Sequence, residues 1–290
     1  MCNWYSTIKT PANNEGGRYY GGWWQQIPKE WRQEIRIGNT PTVEIDYSGL
    51  HIVILYALEG IDYWKKIKKD VYEIRGYKKS ERMRTFLKQV LLTILNCKDE
   101  NQVCASIRKE ISKKNSEFKW VQGYMGWEKA TNSNIKKLLN DFVSPHRPIQ
   151  KYFHSGYGVK LQNIDSMMAE MVIHGMCEND IPILCIHDSF IVRRYHKKKL
   201  NYEMTNAFNW ILNQVGGKNK KMIIPKIKSP EGRITWFGDG AKSFQELKKN
   251  QGKFKEVMVE PMKNDKGYRI KSTQFRKSNL DKKNYYGADN

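Results

Sequence analysis

The chain has 290 residues, with 51 Lys and Arg against 30 Asp and Glu and a formal net charge of +21. That length accommodates one large domain or two small ones, and the charge favours a polyanionic partner whose binding weakens with salt. Aromatic residues make up 12% of the chain, which is no disordered composition. No stretch of eighteen apolar residues is present to span a membrane, and Met1-Cys2-Asn3-Trp4-Tyr5 does not open a signal peptide. The cysteines, Cys2, Cys97, Cys104, Cys177 and Cys185, form no Cys-x-x-Cys pair and are odd in number. A zinc knuckle and a disulfide framework are therefore not expected, and a reducing compartment such as the cytoplasm is.

Residues 1–30 are rich in Gly and aromatics and read as an irregular segment in which Tyr19, Tyr20, Trp23 and Trp24 pack or stack. Residues 42–47 predict a strand ending in Asp46, and Leu50 to Leu58, closed by Gly60, predicts a short helix directly after it. From Ser80, an N-cap, Met83, Phe86, Leu87, Val90, Leu91 and Ile94 recur at helical spacing to Asn96. Arg84 and Lys88, one turn apart, share an edge of that helix. Residues 113–160 carry loop signals at Gly123, Gly126, Pro145 and Pro148. A second amphipathic helix is predicted over Leu161 to Met176, then a strand over Ile183–Ile186 leading into His187-Asp188, then a helix over 200–214. The last forty residues read as loosely packed or disordered.

Two aspartates, Asp46 and Asp188, thus sit where apolar runs meet polar residues. Brought together, they could not both stay charged cheaply. A pair of divalent cations resolves that conflict, and two-metal sites carry out in-line displacement at phosphorus. Glu44 shares the Asp46 face of the strand and is the best spare acid.

The order of these features resembles the palm and fingers core of family A DNA polymerases and the phage-type single-subunit RNA polymerases, over roughly residues 16 to 195. Gly17-Arg18 and Gln25-Gln26-Ile27-Pro28 resemble elements ahead of the first catalytic strand. Asp46-Tyr47-Ser48-Gly49-Leu50-His51 resembles motif A, Asp70-Val71-Tyr72 the element before the fingers helix, Arg84-x-x-x-Lys88 with Asn96 motif B, Leu161-Gln162-Asn163 the helix that meets primer-template, and Ile186-His187-Asp188-Ser189 motif C.

The resemblance implies an α+β fold, an antiparallel palm sheet backed by helices with a small helical fingers element. It divides the chain into 1–79 with motif A, 80–140 with motif B, 141–215 with motif C and a basic region 216–290. It implies two Mg²⁺ ions, with Mn²⁺ as a substitute, on Asp46 and Asp188. Arg84 and Lys88 would take the triphosphate, Arg18 and Gln162 the nucleic acid, and His51, Asn96, His154 and His187 the remaining substrate contacts. The partners implied are a primer-template and nucleoside triphosphates, with an accessory protein in place of a thumb and a bacterial or phage-infected cytoplasm as the setting. His51 is bulky where a Glu is usual in the DNA polymerases, while His154-Ser155 and Ser189 lean toward the RNA polymerases. DNA synthesis is the first expectation and RNA synthesis the alternative. From other classes, a non-catalytic nucleic-acid-binding relative and a metal-dependent nuclease compete with both.

Overall fold

The computed structural model describes residues 19–217, 222, 223 and 225–228. Arg18 and almost all of the basic region after Gly217 lie outside them, so the expectations placed there have no structural counterpart.

The described residues form a mixed fold of α-helices and one antiparallel sheet, compatible with the α+β expectation. In chain order the elements are α1 (Trp23–Gln26), β1 (Arg36–Ile37), β2 (Thr40–Tyr47), α2 (Leu50–Leu58), α3 (Tyr63–Lys66), α4 (Glu81–Asn96), α5 (Glu100–Ser112), α6 (Trp120–Tyr124), α7 (Asn132–Val143), α8 (Gly158–Cys177), β3 (Leu184–Ile186), β4 (Ser189–Arg193), α9 (Lys197–Gln214) and β5 (Ile227–Lys228). Among these strands the order is β1-β2-β4-β3, and β5 pairs with β2 as well.

Side-chain alternation along the sheet explains its two faces. Ile45, Tyr47, Phe190 and Val192 join the main core with the helices. Ile191, Leu184 and Ile186 join a smaller cluster with Trp24, Ile35 and Ile37. The indole N–H of Trp24 donates to the Cys185 carbonyl at 2.8 Å, which fixes the N-terminal segment over that second face. Stacking or packing was open for Trp24 in the sequence; it packs.

Helix α2 is buried at eight of its nine positions, so it runs through the core rather than along its edge. Gly49 caps it at φ 65°, and a Cβ there would come within 2.6 Å of Val71 Cγ2. Only glycine satisfies both the left-handed backbone and that approach, which brings Val71 and its neighbours against the start of α2. Helix α4 begins as expected, with Ser80 Oγ accepting from the Met83 N–H at 3.2 Å. Residues 113–160, mixed with loop signals in the sequence, are largely helical. They hold α6, α7 and a 3-10 segment at Ser144–Tyr152, because Thr131 caps α7 and Ile135, Leu138, Leu139 and Phe142 bury one face of it. Ile227 and Lys228, in the basic stretch after Gly216, pair with Tyr47 and Asp46.

His146 is 7% exposed and takes a hydrogen bond of 3.0 Å with the Tyr56 hydroxyl through Nδ1. Burial pulls its pKa from 6.5 down to about 4. A histidine held neutral in the fold gains a proton first in the unfolded chain, so stability is present above pH 6.5 and is lost as the pH falls toward 4. The loss amounts to about 3 kcal/mol at most. In an NMR titration of the histidine rings, the His146 resonance should hold its neutral position down to about pH 4; a midpoint at the ordinary histidine value would refute this burial.

Candidate active site

Strand β2 lies antiparallel to β4, with Asp46 opposite Ser189. The residue before Ser189 is Asp188, so the two aspartates stand near each other, Asp46 toward the end of β2 and Asp188 just before β4. The sequence placed Asp188 at the end of one apolar strand. The structure instead folds Ile183 to Val192 into a hairpin, with Ile186 opposite Ser189 and His187-Asp188 as its two-residue turn. Two-residue turns need positive φ at the first central position or at both, and His187 supplies φ 56° without a glycine. The turn lifts Asp188 out of the ladder while its carbonyl still accepts from the Tyr47 N–H at 3.4 Å.

The electrostatics follow from that placement. Burial, and then the charge of Asp188, raise the Asp46 carboxyl from 3.8 to about 7. Lys88 and Lys29 oppose the shift and Glu44 adds to it. Lys88 on α4 is therefore the cation that acts most on Asp46. Lys29, on the 3-10 segment Lys29–Glu34, is a contributor that sequence reasoning missed; it directly follows the Ile27-Pro28 pair, but no local pattern foretells its approach. Glu44 is engaged elsewhere. It pairs with Arg32 at 3.2 Å and accepts from Ser189 Oγ at 2.9 Å.

Arg84 is not a bare cation. Its Nε donates to Asp70 at 3.2 Å, and its guanidinium lies 4.7 Å from the Tyr72 ring centre. Burial raises the Tyr72 phenol above its ordinary value, Arg84 opposes this, and the charges of Asp188, Asp70 and Asp46 add to it. Tyr72 thus feels the charges of both Arg84 and the aspartate pair. Asp70, Tyr72, Ser80 and Arg84 line a pocket of about 290 Å³ beside α4.

The other expected residues divide into two groups. His51, on the first turn of α2, shares a hydrogen bond of 3.1 Å with Asp165 Oδ2. Asp165 is 2% exposed and was missed, although a signal existed: with Leu161, Met168, Ala169 and Val172 it falls on the buried stripe of α8. Gln162 lies one turn before Asp165, half-buried. His187 meets the exposed Tyr20 ring edge-on at 5.3 Å. Asn96 and His154 gather elsewhere, at the C-terminal end of α4. The His154 N–H donates to the Ile94 carbonyl at 3.0 Å, and Asn96 Oδ1 lies 2.1 Å from where a Cβ on Gly158 would stand. Asn96 is eight residues beyond Lys88, about 12 Å along the helix, so the structure does not bring this pair against the aspartates as closely as it brings Lys88.

Among the described residues no group of three or more His, Cys, Asp or Glu is disposed to hold a metal ion. Two carboxylates alone suit Mg²⁺, which keeps several waters and takes substrate phosphate as further ligands. The raised Asp46 pKa fits that chemistry, because a bound cation would offset both the burial that raises it first and the charge of Asp188 that adds to it.

No protein-family model matches the chain. No curated protein matches it either. Among solved structures, the chain is similar to the POL domain of Pol1 from M. smegmatis in complex with DNA primer-template and dNTP, at 11% identity and a TM-score of 0.37, over 71% of this chain and 43% of that one. The chain spans less than half the length of that protein.

Asp46 titrates above its ordinary value, so the metal-free fold loses stability as the pH rises from about 4 through about 7. Asp188→Asn removes one cause of the shift. In urea unfolding with EDTA at pH 8 it should stabilise the protein by about 1–2 kcal/mol, one pKa unit being worth about 1.4 kcal/mol. A destabilised variant would show that the carboxylates do not oppose each other.

Proposed function

We propose that the chain is a template-directed nucleotidyltransferase that adds nucleotides to a 3′-hydroxyl, in the manner of a minimal family A-like DNA polymerase. The observation that carries this reading is the register of β2 on β4, which seats Asp46 beside Asp188 with Lys88 as the cation that acts most on Asp46.

Asp46 and Asp188 would hold Mg²⁺, which when bound supplies activation of the attacking hydroxyl and charge stabilisation at the leaving pyrophosphate. Lys88 is disposed to meet phosphate charge gathering near the pair, in the ground state and more strongly as charge moves to the leaving group. Arg84 must first exchange Asp70 for phosphate, an exchange of one charge-assisted hydrogen bond for another. Tyr72 gives the Arg84 guanidinium a ring to rest against. The charge of +21 supports a nucleic-acid partner, whose phosphates release counterions on binding. Among the described residues no helix is long and apolar enough to cross a membrane.

Primer extension with Mg²⁺, offering dNTPs and NTPs in separate reactions, tests the reading. Incorporation of dNTPs is expected; incorporation of NTPs alone selects the RNA-polymerase-like alternative. Asp46→Ala and Asp188→Ala should each abolish incorporation while nucleic-acid binding stays nearly intact. Incorporation by either variant close to the parent rate would sink the assignment.

The two cations of α4 should differ. Lys88→Ala should raise the nucleotide KM and lower kcat together, by roughly tenfold or more in kcat/KM, because a charge-assisted contact is worth about 1.5–3 kcal/mol. Arg84→Ala should cost less, since Asp70 already occupies part of that guanidinium. Steady-state kinetics on a primer-template checks both, and an Arg84 effect exceeding that of Lys88 would reverse the roles.

A further inference from the structure

The far end of β4 carries a second surface. Its last residue, Arg193, is followed by the 3-10 turn Arg194-Tyr195-His196 and by the start of α9, Lys197-Lys198-Lys199, with Tyr202 further along that helix. Tyr195 is 62% exposed and Tyr202 59%. Arg194 and Lys198 are exposed as well. The opposite face of α9, through Leu200, Met204, Ala207 and Phe208, is buried, so this stripe looks outward. Helical spacing sets Lys198 and Tyr202 one turn apart on one side.

The outer tyrosine is braced. Arg193 Nη1 donates to the Tyr195 hydroxyl at 3.0 Å, while its Nε donates to the Ile37 carbonyl at 3.1 Å. The Tyr195 and His196 rings lie tilted against each other, their centres 4.3 Å apart. Lys199 lies 5.3 Å from the Tyr202 ring centre and pairs with Glu203 at 2.7 Å. An exposed ring contributes little to the core, yet Tyr195 is tied through Arg193 to the loop beside β1. A pre-ordered aromatic flanked by cations has low ordering entropy to lose on binding a flat, anionic partner.

We infer that Tyr195, Tyr202, Arg194 and Lys198 form a stacking surface for single-stranded nucleic acid, separate from the aspartate pair. β4 spans five residues, so the surface begins about 17 Å from Asp188. From Tyr195, in the 3-10 turn Arg194–His196, to Tyr202 on α9 the chain advances about 11 Å, room for about three nucleotides stacked at about 3.4 Å. Aromatic rings hold bases of any sequence and the cations hold the backbone. An acidic peptide would use the cations alone. The inference deepens the proposed function and rests on it for the choice of partner, and the test is run on Asp46→Ala protein so that binding is read without catalysis.

Fluorescence anisotropy with a labelled oligothymidine measures it. Tyr195→Ala with Tyr202→Ala should weaken binding about tenfold or more, the scale of base–aromatic stacking, with the salt dependence unchanged and the melting temperature held. Tyr→Phe at both positions should restore the affinity. Arg194→Ala with Lys198→Ala should flatten the plot of log K against log salt by about 1.4, about 0.7 for each phosphate contact on a single strand. An unchanged Kd in the tyrosine variant, or an equal loss in its binding of polyglutamate, overturns the inference. Either result leaves nucleotide incorporation by the parent protein as a separate measurement.

Discussion

The pairing of β2 with β4 is the constraint on which the rest of the site depends. With Asp46 opposite Ser189, Asp188 falls one step away in the turn and Glu44 falls opposite Ile191 on the same face. A slip of one residue would turn Asp46 toward the helices and Tyr47 toward solvent. The apolar residues forbid that slip: Ile45, Phe190 and Val192 are fully buried on one side and Ile191 on the other. The Tyr47 hydroxyl adds a buried hydrogen bond of 2.5 Å to the Met204 carbonyl on α9. Hydrophobic burial thus holds two like charges together that would separate if left to themselves.

That frustration is local, and the surrounding charges are arranged around it. Lys88 comes from α4, whose own position follows from its apolar stripe, and Lys29 comes from the segment seated by Trp24 on Cys185. Arg84 is restrained by Asp70 and Tyr72, and that loop is held against α2 at Gly49. Burial raises the nearby Cys185 thiol, with Asp188 and then Asp165 adding to it, which places the His51–Asp165 pair within the same electrostatic neighbourhood. Two like charges held together gain more from a cation beside them than a neutral cleft would.

Much of this was legible in the sequence where local rules act alone. The Ser80 cap, the stripe of α4 and the wholly apolar run of α2 each announce their element, and each forms with little change of boundary. Asp46 and Asp188 were legible as carboxylates at the ends of apolar runs. The hairpin turn was not, because His187 adopts a positive φ where Gly or Asn would have given the signal. Strand β5 was not, because two residues in a polar, basic stretch take their conformation from pairing with β2. α7 was hidden by the glycines and prolines flanking it. Lys29 and Tyr72 reach the aspartates through tertiary placement, whereas Asp165 could have been found as the acid in an apolar stripe.

The central claim is that the β2–β4 register builds a site for divalent cations between Asp46 and Asp188. Anomalous diffraction from crystals soaked in Mn²⁺ with a nucleoside triphosphate tests it most directly. The account predicts manganese peaks within bonding distance of both carboxylates, with triphosphate density toward Lys88. Full soaking with no peak at the pair, or manganese bound only at other acids, would contradict it.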